Sequence, residues 1–155
     1  MAVPCLQFSR RLMLLALVAG CLGCGTPGES NREREDSGLK PLAIFYGRFV
    51  PQHQGKPPKD EAEFKAYLKE PQNAEELKET FNIADIEAMF ISSRDKKPYI
   101  VIYGPTSGEG PAGAPVVAYE QIGLEGKRFV ASTMGAVEEV DEARFKQMLA
   151  PTPAE

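Results

Sequence analysis

The chain has 155 residues, 43% of them apolar and 26% charged, with 14 glycines, 13 prolines and a formal charge of −4. That balance is globular rather than disordered, and the length leaves room for one domain with two ends left over. An acidic chain without a stripe of clustered Lys and Arg lacks the phosphate contacts that nucleic-acid binding needs, which excludes that class.

Residues 1–20 read as an export signal. Arg10 and Arg11 are its only charges, and the unbroken apolar run Leu12-Met13-Leu14-Leu15-Ala16-Leu17-Val18-Ala19 follows them. A bilayer-spanning helix needs ~20 apolar residues, so this run is too short to span and fits the core of a signal peptide. It ends in Leu17-Val18-Ala19-Gly20-Cys21. That ending resembles the lipobox of bacterial lipoproteins: aliphatic, small, small, then the cysteine that takes lipid. The resemblance implies cleavage before Cys21, diacylglycerol and palmitate on Cys21, and anchorage to the cell membrane. The alternative is an ordinary secretory signal cut near Ala19, which leaves a free thiol. Cys24 fits the box less well, because Cys21 would then fill the aliphatic position. Leu22 stands where inner-membrane-retained lipoproteins of some Gram-negative bacteria carry Asp; that analogy favours the outer membrane, with the domain in the periplasm or at the surface. Losing both arginines with the signal takes the formal charge from −4 to −6. With Cys5 in the signal and Cys21 acylated, Cys24 has no intramolecular partner, so neither a disulfide framework nor a zinc knuckle can form.

Residues 21–38 form the anchor and a tether, since Gly25 to Ser37 is polar and lacks large apolar side chains. A single domain is expected over residues 39–150, with a disordered tail at 151–155. Leu39, Leu42, Tyr46, Phe49 and Val50 recur at helical spacing, which predicts a largely buried helix. Pro41 suits its first turn, and Pro51 should end or kink it. A loop holding His53 follows. Asp60 and Glu63 form an N-cap pair for a second helix, with Phe64, Tyr67 and Leu68 as its apolar stripe and Pro71 as its stop. A shorter helical piece is expected over residues 74–81. The period then changes, and residues 89–91, 99–103, 116–120, 128–132 and 136–140 read as strands. Residues 123–126 and 133–135 are hairpin connections. A last helix starts at the Asp141 cap and runs to Leu149, with Val140 stapling onto Phe145 across the cap. The segments 60–68 and 141–149 agree at six of nine positions, which two similar solutions to capping an amphipathic helix explain better than a duplicated unit. The fold class is therefore α+β, with N-terminal helices packed on an antiparallel meander of about four strands and a C-terminal helix.

The candidate chemistry is thin. Gly108-Glu109-Gly110-Pro111-Ala112-Gly113 spells the dinucleotide fingerprint, but that mechanism needs a helix opening at the third glycine, and here Pro115 and a strand follow. A Gly/Pro hairpin loop is the reading. His53 is the only histidine, it lies in a polar turn, and no local motif sets a Ser or Cys nucleophile beside it. Glu138, Glu139, Asp141 and Glu142 form the densest acidic group. Oxygen ligands of this kind suit calcium, yet the alternating loop pattern of an EF-hand is absent, and a helix cap accounts for two of them. Residues 94–97 could grip an anionic partner or form a charged turn between strands. No catalytic residue, cofactor or metal ligand is assigned, and the chain reads as non-enzymatic.

Phe45-Tyr46-Gly47-Arg48-Phe49, His53-x-Gly55-x-Pro57-Pro58 and Ser93-Arg94-Asp95-x-x-Pro98-Tyr99 resemble small uncharacterised lipoproteins of planctomycete-type bacteria. More distantly, helix, turn and meander over residues 40–149 resemble the soluble domains of pseudopilins and prepilin-like proteins. The closing hairpin of those domains corresponds to residues 129–138, although its aspartate is missing here and the long apolar pilin helix is replaced by signal and tether. These likenesses imply a lipid-anchored envelope protein that works through contacts with other envelope proteins. One alternative is a pseudopilin-like accessory component of a type II secretion or pilus-type system. Another, ranked last, is an envelope hydrolase or small-ligand binder.

Overall fold

In the computed structural model, which describes residues 37–105 and 108–150, the first apolar stripe forms α1 (Leu39–Gln52). The signal, Cys21, Cys24, the tether as far as Asp36 and the tail at 151–155 lie outside the described residues. Leu39, Leu42, Ala43, Phe45, Tyr46 and Phe49 point inward from α1. Contrary to expectation, the helix runs through Pro51 before stopping at Gln52. A proline forfeits one hydrogen bond to the carbonyl four residues back, and in the last turn that loss is small enough to be absorbed.

α2 (Glu61–Leu68) has the expected cap, with Asp60 Oδ1 accepting from Glu63 N–H at 2.8 Å. Glu63 reaches back one residue further than a standard box, its carboxylate accepting from Lys59 N–H at 2.7 Å. α3 (Pro71–Phe81) corrects the expected helix start at residue 74. Pro71 does mark the end of α2, but it is also the first residue of α3, where the missing N–H would have had no intrahelical partner. Residues 89–91 are not a strand. Asp85 instead caps a single helical turn, α4 (Ile86–Met89), accepting from Glu87 N–H at 2.9 Å and Ala88 N–H at 3.3 Å. Local side chain–backbone bonds outweigh β-propensity there, leaving Ile91 with only an isolated bridge to Pro98.

Four strands follow as an antiparallel meander in the order β1 (Ile100–Val101), β2 (Val116–Tyr119), β3 (Lys127–Ser132) and β4 (Val137–Asp141). β1 is shorter than the strand expected over residues 99–103. The last helix, α5 (Glu142–Leu149), begins where Asp141 Oδ1 accepts from Arg144 N–H at 2.8 Å. Asp60 and Asp141 thus cap their helices in the same way, which accounts for the likeness of the two segments.

The sheet is covered on both faces. Val117, Ala118, Phe129 and Ala131 join α1, α2 and Leu77 of α3 in the larger core. Val116, Val130, Val140, Phe145 and Met148 form a second cluster under α5, which puts Val140 and Phe145 together as a staple requires. A bulge in β2 reconciles these two memberships: Val116 pairs with Ser132 but Ala118 pairs with Ala131, so β2 carries one extra residue at Val117.

α1 lies close against the β3–β4 connection. A Cβ at Gly47 would sit 2.0 Å from the Thr133 carbonyl oxygen. Replacing an interior helix glycine by alanine ordinarily gains up to ~1 kcal/mol. Here the sign should reverse: Gly47→Ala is expected to lower unfolding free energy by about 1–3 kcal/mol through overpacking, read from urea denaturation midpoints.

Burial also fixes how the tyrosines ionise. Tyr46, whose hydroxyl donates to the Ile102 carbonyl at 2.7 Å, is pushed by desolvation up to about 12. Tyr99 is pushed to about 12, first by desolvation and then by the Glu120 charge. An unfolded tyrosine ionises near ~10, so stability is full below that pH and is lost as pH rises towards 12. With no tryptophan in the chain, phenolate absorbance should show Tyr46 and Tyr99 silent in native protein at pH values where they titrate freely in urea.

Candidate functional site

β2 ends against a buried acid. Glu120 is 0% exposed, and its backbone N–H donates to the Phe129 carbonyl at 2.9 Å. Its own side chain then completes the ladder, Oε2 accepting from Phe129 N–H at 2.8 Å. Oε1 accepts from the Ser92 hydroxyl at 2.7 Å. The same hydroxyl oxygen accepts from the N–H groups of Arg94 at 3.1 Å and Asp95 at 3.4 Å, so Ser92 turns its own loop while tying it to β2.

Arg94 supplies the counter-charge. Its Nη1 lies 3.5 Å from Glu120 Oε2, its Nη2 donates to Glu139 Oε1 at 2.7 Å, and its guanidinium sits 4.0 Å from the centre of the Phe129 ring. Its side chain is only 5% exposed. β2, β3 and β4 therefore meet one loop through one arginine. In such surroundings an ion pair is screened little by water, and removing one partner strands the other charge.

Asp95 makes the second tie. Oδ1 accepts from Lys97 N–H at 2.9 Å, and Oδ2 accepts from Ile122 N–H at 3.0 Å and Gly123 N–H at 2.9 Å. Burial pushes this carboxyl up, but the N–H groups of Gly123, Lys97 and Ile122 outweigh it and hold the group below the ordinary aspartate value. Gly123 has φ +79°, and a Cβ there would lie 2.0 Å from the Lys127 carbonyl oxygen, so only glycine fits this turn. The loop over residues 92–98 and the turn over residues 120–127 consequently behave as one clamped tip.

The sequence candidates are scattered around this clamp. Of residues 94–97, Arg94 and Asp95 are consumed by it, while Lys96 and Lys97 stay exposed. Glu139 pairs with Arg94. Asp141 caps α5, and Glu142 binds Arg128 at 2.7 Å and faces Lys146 at 3.6 Å. Glu138 and Glu139 point to opposite faces of β4, because side chains alternate along a strand. Among the described residues no group of three or more His, Cys, Asp and Glu converges on a point. His53 stacks on Phe49 with ring centroids 3.7 Å apart and places Nδ1 2.9 Å from the Phe49 carbonyl oxygen, to which it donates as a cap on α1. It borders a cleft of about 450 Å³ with Gln52, Lys56 and Glu63. In the Gly108–Gly113 loop a 3₁₀ turn over Pro111–Gly113 stands where a dinucleotide site needs a helix. The Gly110 and Gly113 amides donate to the Ala114 and Gly110 carbonyls instead of facing a ligand.

A larger cleft, about 570 Å³, runs between the start of α1 and the α3–α4 connection, lined by Ser37, Pro41, Ile83, Asp85, Ile91 and Ser93 among others. The Asp85 carboxylate beside it is engaged with the amides of α4. No helix among the described residues is long and apolar enough to cross a membrane.

Sequence reasoning singled out Arg94 and Asp95 but missed Glu120. Counted by twos from Val116, Glu120 falls on the α5 face. The bulge at Val117 shifts the parity and turns Glu120 towards Arg94. No family model matches this chain, and neither does any curated protein or solved structure.

Two outcomes are expected. Arg94→Ala should destabilise the domain by about 3–5 kcal/mol in urea, and adding Glu120→Gln to it should recover part of that loss. Asp95 is held below its unfolded value of ~3.9, so its contribution is full above that pH and is lost as pH falls through the lower folded value. The stability gap between wild type and Asp95→Asn should therefore be open at pH 7 and close on acidification, as denaturation curves at stepped pH would show.

Proposed function

We propose that this chain is a lipid-anchored protein of the bacterial cell envelope, held by acylated Cys21 and acting through contacts with other envelope proteins rather than through catalysis. The observation that carries this reading is Leu17-Val18-Ala19-Gly20-Cys21, placed where a short apolar run gives way to a polar segment. The structure adds support. Sixteen positions separate Cys21 from Ser37, where the described fold begins. A stretch of that length reaches at most about 55 Å when extended, enough to let a folded body meet partners near the membrane. The polar clusters of the domain also serve packing: Glu120, Ser92, Arg94 and Asp95 bind one another, and His53 caps a helix.

One buried acyl chain anchors only marginally, whereas the three that the lipobox implies hold a protein durably. Intact-mass analysis of the protein purified from membranes should find a chain starting at Cys21 and carrying the diacylglyceryl and acyl groups. Cys21→Ala should move the protein from the detergent phase to the aqueous phase on phase partitioning. An unmodified Cys21 sulfur in protein that already partitions into water would end this reading.

A further inference from the structure

We draw no further inference here: the strongest candidate, the surface patch of exposed aliphatic side chains Ile91, Ile122 and Leu124 at the clamped tip, carries nothing because nothing in the structure shows what covers it.

Discussion

A carboxylate with no exposed surface has to find its partners inside the protein, and Glu120 finds them in three different places. It completes the β2–β3 ladder through Phe129, fixes the Ser92 turn, and sets the charge that Arg94 must meet. Removing any of these contacts leaves the others in a low-dielectric site with an unmet demand. The sheet end, the loop over residues 92–98 and the following turn are for that reason one structural unit. The bulge at Val117 is its precondition, because without the extra residue the carboxylate would face α5.

Much of the fold could be read from residue spacing. The helix caps at Asp60 and Asp141, the buried stripe of α1 and the strands β2 to β4 are local patterns, and local patterns survive in tertiary context when nothing competes with them. Errors arose where something did compete. Residues 89–91 look like a strand by composition, but Asp85 bonds the amides beside them and makes a helical turn. Pro71 reads equally well as the end of one helix and the start of the next, and it is both. Pro51 sits late enough in α1 that its missing N–H changes little. Glu120 was invisible for a different reason: its side-chain partners lie 26 to 28 residues before it and 9 after it in sequence, and a parity shift in the strand has no sequence signature of its own.

The candidate site shows the same division. Arg94 and Asp95 drew attention as members of a charged motif, and they do act together, but on the fold itself. Arg94 is spent on Glu120 and Glu139, and Asp95 on backbone amides. What reaches solvent from that motif is its closing pair of lysines, Lys96 and Lys97, beside aliphatic side chains that no periodicity argument could assign. A charge pattern thus divided into an inner half that holds two loops in register and an outer half that stays in solvent.

Glu120 acts at a distance, through Ser92 and Arg94, on backbone that it does not touch. Amide hydrogen exchange on the full chain, with and without Glu120→Gln, measures that directly. The Ile122 and Gly123 amides, which bond only to Asp95, should lose protection together with the Phe129 amide, while the amides of α5 keep theirs. Unchanged exchange at Ile122 and Gly123 alongside a faster Phe129 would mean that the two loops are held independently, contradicting the account.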